Sequence, residues 1–207
     1  AKTYPCEAGM RSTSDAVQVF GGYGFTQDFP VEQYYRDIRI TPIYEGTTGI
    51  QSLDLLGRKV LMSEGKALTL LAEEMMVTIK DSNEFGSLKD YGKKLGASVQ
   101  NLSEVTQHLI KKAATGDIEL FLSDATLYME LFSLVTVAWQ WLKMAVAASG
   151  GLKNEGLNKD EKAFLNSKVK TMKFYFHYEL PKTAGFSTRL MDEEIITILR
   201  EKEEVIF

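Results

Sequence analysis

Cysteine, histidine and proline are scarce in this chain: one Cys, two His and four Pro in 207 residues. The single thiol, Cys6, can close no internal disulfide, so the chain suits a reducing compartment and must be held by packing. Cys6 has no histidine near it in sequence and reads as a packed or incidental thiol. His108 and His177 stand far apart, neither with a Cys or His at ligand spacing, so no metal site is assigned. There is no basic stripe, and with a net charge of −4 nucleic acid is excluded as an expected partner. No run of four or more strictly alternating residues marks a strand, and no internal repeat is present. The longest apolar stretch, Leu131 to Ala148, is broken by Gln140 and Lys143, which argues for a buried helix and against a membrane span. Residues 1–20 lack an apolar core preceded by basic residues, so no signal peptide is read there.

What is present is the composition of a soluble globular protein, 44% hydrophobic and 25% charged, patterned as an all-α chain. One helix is expected over residues 5–20, ending at Gly21-Gly22, where positive φ is allowed. A short helix follows over 31–40, stopped by Pro42, and a third over 48–62. Gly65 is the expected boundary between a first region, residues 1–64, and a second, residues 65–207. In the second, Leu68, Leu71, Met75 and Ile79 recur at helical spacing. Leu88, Tyr91, Leu95, Val99, Leu102, Thr106, Leu109 and Ala113 form a cleaner stripe near the repeat of packed antiparallel helices. Ser87 is placed to cap that helix, and Thr115-Gly116-Asp117 to end it. Residues 119–149 are apolar almost all round and predict the central helix, with Phe132 and Trp139 anchoring the core. Gly150-Gly151 opens a glycine-rich loop, and Asn158 with Glu161 forms a capping box for a last helix ending at Pro181. Short joins make this an antiparallel helical bundle. The charge-rich end, Glu201 to Glu204, reads as a solvated face.

The most informative tract is Ile43-Tyr44-Glu45-Gly46-Thr47-Thr48-Gly49-Ile50-Gln51. It sets a carboxylate beside a glycine just before a helix start, where the absent side chain leaves room for a ligand. Thr47-Thr48-Gly49 would offer backbone N–H groups and the positive end of a helix, a seat for an anion. A base beside an anion seat suggests proton abstraction next to a phosphate-bearing cofactor. The plainer alternative is a solvent-facing glutamate ahead of a capped helix. The run Gly21-Gly22-Tyr23-Gly24 fails as a dinucleotide fingerprint, because it follows a helix and Gln27 stands at the sixth position.

The series Gln18-Val19-Phe20-Gly21-Gly22-Tyr23-Gly24-Phe25, then Pro30-Val31-Glu32, Tyr35-Arg36-Asp37 and Tyr44-Glu45-Gly46-Thr47 resembles the C-terminal end of an acyl-CoA dehydrogenase. The likeness is specific over residues 1 to about 62 and looser beyond. The longer form through Gln51 and Leu53 to Lys59 is similar to the subgroup that carries an additional C-terminal helical domain. The resemblance implies a fragment: the end of the catalytic helical domain, followed by an appended bundle. It implies Glu45 as the base that takes the α-proton of an acyl-CoA thioester, with hydride passing to the flavin of FAD and trans-2-enoyl-CoA as product. Tyr44 and Gly46 would lie against substrate; Gln18, Gly21, Gly22, Thr47 and Gly49 would contact FAD shared between subunits of a homo-oligomer. Many members carry a polar side chain where Gly49 stands, so only backbone contact carries over there. Arg36-Asp37 matches a family pair, and a structural ion pair is its expected role. An electron-transfer flavoprotein is the expected electron acceptor, and the cytoplasm, or alternatively the mitochondrial matrix, the expected location. Alone, the chain is expected to be inactive and not to retain FAD, since the family builds most of that site from upstream domains. Two alternatives stay open: an acyl-CoA oxidase on the same fold, or a non-catalytic interaction or oligomerisation module.

Overall fold

The computed structural model describes residues 1–198, which form two compact units, one of Ala1–Leu55 and one beginning at Leu56. Glu201 to Glu204 lie outside the described residues. No strand is present among those described, so the fold is all-α.

The first unit has four helices: α1 (Thr3–Phe20), α2 (Gly22–Phe25), α3 (Val31–Ile38) and α4 (Thr48–Asp54). α1 ends at Gly21, whose φ of 61° turns the chain into α2. Two other glycines serve packing. A Cβ on Gly24 would fall 2.3 Å from the Val17 oxygen, and one on Gly9 would fall 3.1 Å from Ile38 Cδ1. Helix α2 thus approaches α1 as only glycine permits, and Ile38 of α3 packs closely on Gly9. α3 stops two residues before the expected end at Ile40. The helix expected over 48–62 is α-helical only to Asp54, then passes into a π-helical turn, Leu55–Lys59. This unit buries little: Val31 is its one buried large apolar side chain among the described residues, while Val19, Tyr23, Phe25 and Tyr34 stand exposed. Such a surface is uncommon on a free-standing domain.

The second unit takes in Leu56 and Val60, both buried, so the compact division falls earlier than Gly65. Gly65 instead completes a reversal. Ser63, Glu64 and Gly65 are consecutively left-handed, with φ of 51°, 57° and 81°, and swing the chain into α5 (Lys66–Ser82). There follow α6 (Lys89–Ala113), α7 (Ile118–Leu122), α8 (Ala125–Gly151), α9 (Lys159–Tyr178) and α10 (Thr183–Leu190). α8 is the hub, packed by α5, α6, α9 and α10. α5 and α6 run antiparallel, as do α8 and α9. The end of α5 meets the start of α6, where a Cβ on Gly92 would lie 2.2 Å from Ser82 Oγ. By length and composition alone Ile118–Gly151 could cross a bilayer, but α8 is the core helix of this bundle.

Several local expectations hold for the stated reasons. The Asn158 side chain accepts from the Glu161 N–H at 2.9 Å, and the Glu161 carboxylate accepts from the Asn158 N–H at 2.8 Å, a complete capping box. Gly116, at φ 83°, ends the α6 region. Others fail. Ser87 caps nothing: Leu88 occupies the cap position of α6 without a side-chain cap and is fully buried. Gly150 and Gly151 stay helical as the last residues of α8. A Cβ on Gly151 would press to 3.2 Å from Leu165 Cδ1, so this glycine brings α8 and α9 close together. α10, beyond Pro181, was not expected at all. Phe132 and Trp139 are only half-buried. Trp139 instead donates from Nε1 to Thr78 Oγ1 at 2.8 Å, tying α8 to α5.

The fully buried aromatic of α8 is Tyr128. Its hydroxyl meets Thr106 Oγ1 at 2.7 Å, and Thr106 Oγ1 also lies 2.7 Å from the Leu102 oxygen. Burial pushes the Tyr128 phenol up to about 12 from an ordinary 10.0, the Thr106 hydrogen bond opposing the shift. The folded state therefore keeps a proton that the unfolded chain loses. Stability is fully present below pH 10 and is lost as pH rises toward 12, by on the order of 2–3 kcal/mol for this group. Tyr128→Phe should be less stable than wild type at pH 8 by about 1 kcal/mol, and that gap should close and then reverse between pH 10 and 12. Urea midpoints of both proteins across that range test it; parallel loss of stability would exclude the shift.

Candidate functional site

The Glu45 turn lies within the first unit, between α3 and α4. Glu45 itself takes the left-handed conformation, φ 53°, and Gly46 follows at φ 88°. For a non-glycine residue this costs on the order of 1–3 kcal/mol and persists only where surrounding contacts impose it. Those contacts are visible. The Lys2 ammonium donates to the backbone oxygens of both Tyr44 and Gly46, and Gln51 Nε2 donates to the Glu45 oxygen at 3.3 Å. Lys2 also sits over the Tyr44 ring, 5.6 Å from its centroid. The Glu45 side chain is exposed.

Gly46 is needed here for two reasons. Its φ is one that L side chains rarely adopt, and a Cβ would come within 2.4 Å of Gln51 Nε2. The sequence ascribed this glycine to ligand access alone. The structure adds a requirement of the backbone itself, so any valine here would disturb the turn before a ligand arrived. Gly49 differs: a Cβ there would meet nothing nearer than Thr47 Oγ1 at 3.9 Å.

The expected anion seat is partly taken. Thr47 caps α4, its hydroxyl accepting from the Ile50 N–H at 3.2 Å, and the Thr48 N–H donates to the Pro42 oxygen at 3.2 Å. The Thr48 hydroxyl donates to Glu7, so a carboxylate stands beside the same helix start. Thr47, Thr48 and Gly49 border a hollow of about 510 Å³ with Glu7, Met10 and Arg39. Glu45 does not line it.

Gln18, Gly21 and Gly22 lie elsewhere. Lys2 and Glu7 near the start of α1 touch the Glu45 turn, whereas Gln18 is at the far end of that helix. At 1.5 Å rise per residue, Gln18 is about 24 Å along α1 from Lys2. One copy of the chain therefore does not unite the Gln18–Gly22 group with the Glu45–Gly49 group. At the Gln18 end the backbone is open: Gly21 and Gly22 are exposed, and added Cβ atoms there would meet nothing within 4 Å. Arg36 is not paired to Asp37 as expected. It pairs with Glu32 one turn earlier, Nε to Oε2 at 2.7 Å, because i,i+4 positions face each other on a helix and adjacent ones do not. That hydrogen bond holds the Glu32 carboxyl below its ordinary range.

Sequence reasoning missed Lys2 and Glu7, since nothing local marks a residue that acts across more than forty positions. Gln51 stood inside the recognised tract without an assigned role. His108 and His177 gain neighbours unconnected with the turn: Glu193 Oε1 stands 3.7 Å from His108 Nε2, and the Tyr91 hydroxyl 3.3 Å from His177 Nε2.

The family described as acyl-CoA dehydrogenase, C-terminal domain, matches residues 1–61, and the one described as acetyl-CoA dehydrogenase C-terminal like matches residues 71–196. The chain is 31% identical over 192 residues to the 3-methylmercaptopropionyl-CoA dehydrogenase of Ruegeria pomeroyi, covering 92% of this chain and 32% of that protein. It is 28% identical to the broad-specificity linear acyl-CoA dehydrogenase of Mycobacterium tuberculosis over 97% of its own length and 33% of the relative's. Over 58 residues, 28% of this chain and 15% of the other, it is 50% identical to the short-chain specific acyl-CoA dehydrogenase of Clostridium acetobutylicum. The chain thus spans about a third of the length of the curated relatives it matches end to end. It belongs to the acyl-CoA dehydrogenase family, carrying that family's C-terminal domain and the C-terminal-like domain that follows it.

Proposed function

We propose that this chain contributes the catalytic base and part of the cofactor site of an enzyme that desaturates an acyl-CoA thioester. The observation that carries the reading is Glu45: an exposed carboxylate held in a costly left-handed conformation by side chains from two other elements. Strain of this kind concentrates at functional sites. Glu45 takes the proton from the carbon next to the thioester carbonyl, and Gly46 and Tyr44 border the thioester. FAD, when bound, supplies the acceptor for the hydride leaving the β carbon, which balances the reaction as trans-2-enoyl-CoA and reduced flavin.

The fit to FAD rests on the open backbone at Gly21 and Gly22, where a pyrophosphate or adenosine could approach without meeting a side chain. Gln18 lies beside them, and Thr47 and Gly49 serve the flavin end. Because Lys2, at the Glu45 turn, and Gln18 lie about 24 Å apart along α1, the two groups serve different copies of the cofactor in a homo-oligomer. The apolar residues left exposed on the first unit are covered in that assembly. Linear acyl groups and the 3-methylmercaptopropionyl group, named for two of the relatives, are candidate substrates, and an electron-transfer flavoprotein is the proposed acceptor.

Anaerobic mixing of the complete protein with a series of acyl-CoA thioesters tests the reading. Flavin bleaching with formation of the 2-enoyl product is expected. Rapid reoxidation by oxygen with peroxide release would make the enzyme an oxidase, and no bleaching with any thioester would reject acyl-CoA dehydrogenation.

A further inference from the structure

We propose that Lys2 is a positioning residue for catalysis, aiming Glu45 by clamping the peptide planes around it; the proposal rests on Glu45 being the base. The direction of the Glu45 side chain is set by two rotations, φ and ψ, and each is fixed by the peptide plane beyond it. The plane before Glu45 carries the Tyr44 oxygen, which accepts from Lys2. The plane after it carries the Glu45 oxygen, which accepts from Gln51. The next plane carries the Gly46 oxygen, which accepts from Lys2 again. Three successive carbonyls are thus held by two side chains, one of them anchored at the start of α1. Released from Lys2, the turn has little reason to keep Glu45 at φ 53°, since αR and β conformations cost less. An ammonium suits the task because it is a compact charge with three donors and can serve two carbonyls while resting on the Tyr44 ring.

A double-mutant cycle on the complete enzyme tests this, using Lys2→Met, Glu45→Gln and the pair, with flavin content and Tm measured for each. A misaimed base can cost up to about 10²-fold. Lys2→Met should therefore lower kcat for flavin reduction by about 10- to 100-fold while KM changes less than about threefold. Lys2→Arg, which can still bridge two carbonyls, should recover most of the rate. If Lys2 acts through Glu45, adding Lys2→Met to Glu45→Gln should cost nothing further. A kcat within twofold of wild type for Lys2→Met, beside an inactive Glu45→Gln, overturns the proposal alone. An active Glu45→Gln overturns the base assignment itself. Additive losses would mean that Lys2 acts independently of Glu45, and would also overturn the proposal. Should Lys2→Met not fold, Lys2→Gln, which keeps an uncharged amide donor, carries the same cycle with a smaller loss.

Discussion

In the complete protein, Glu45→Gln should slow flavin reduction by an acyl-CoA about 10²–10⁴-fold, the usual cost of losing a general base. The amide keeps the shape of the carboxylate and removes the proton acceptor. Because the Glu45 side chain is exposed and the turn is held through backbone carbonyls, the substitution removes none of the contacts that shape the site. FAD should stay bound, thioester affinity should stay near wild type, and the loss should appear in kcat. Stopped-flow reduction with a saturating thioester measures it directly. A variant that bleaches its flavin at the wild-type rate would show that another group takes the proton.

The largest stability effect should come from Phe176. This ring is buried and meets the Tyr91 ring edge-on, centroids 5.4 Å apart, so it fastens α9 to the start of α6. Truncating a buried aromatic to alanine removes its transfer energy and leaves a cavity, about 3–5 kcal/mol in all. Against a typical domain stability of about 5–15 kcal/mol, Phe176→Ala should bring the bundle near its unfolding threshold. Phe132→Ala should cost clearly less, since that ring is only half-buried and has less area to lose. Urea midpoints of the two variants give the ordering, and a greater loss at Phe132 would show that the bundle core is centred elsewhere.

How much of this was legible in the sequence depends on the range of each interaction. The capping box at Asn158 and Glu161 and the stop at Gly116 each involve residues a few positions apart, so their chemistry can be read directly. The stripe from Leu88 to Leu109 was legible because 3.6-residue periodicity alone places a side chain on the buried face of α6. The same periodicity could not say which aromatic on the apolar-all-round α8 points inward. Tyr128 does so, because Thr106 on a neighbouring helix satisfies its hydroxyl; Trp139 stays at the margin, where Thr78 takes its indole N–H. Gly150 and Gly151 read as a loop from composition, yet both end α8 in helical conformation, and Gly151 packs closely against Leu165.

By itself, the sequence determined an all-α chain, the family, and the turn that carries Glu45, since base, glycine and helix cap are contiguous there. Only the tertiary structure decided that Glu45 is left-handed, that Lys2 and Gln51 hold it so, and that Gln18 and Glu45 stand at opposite ends of one helix. A local pattern fixes which face of an element a residue occupies. Which distant residue meets that face, and in what backbone conformation, follows from how the elements pack, and that is settled by contacts no local spacing encodes.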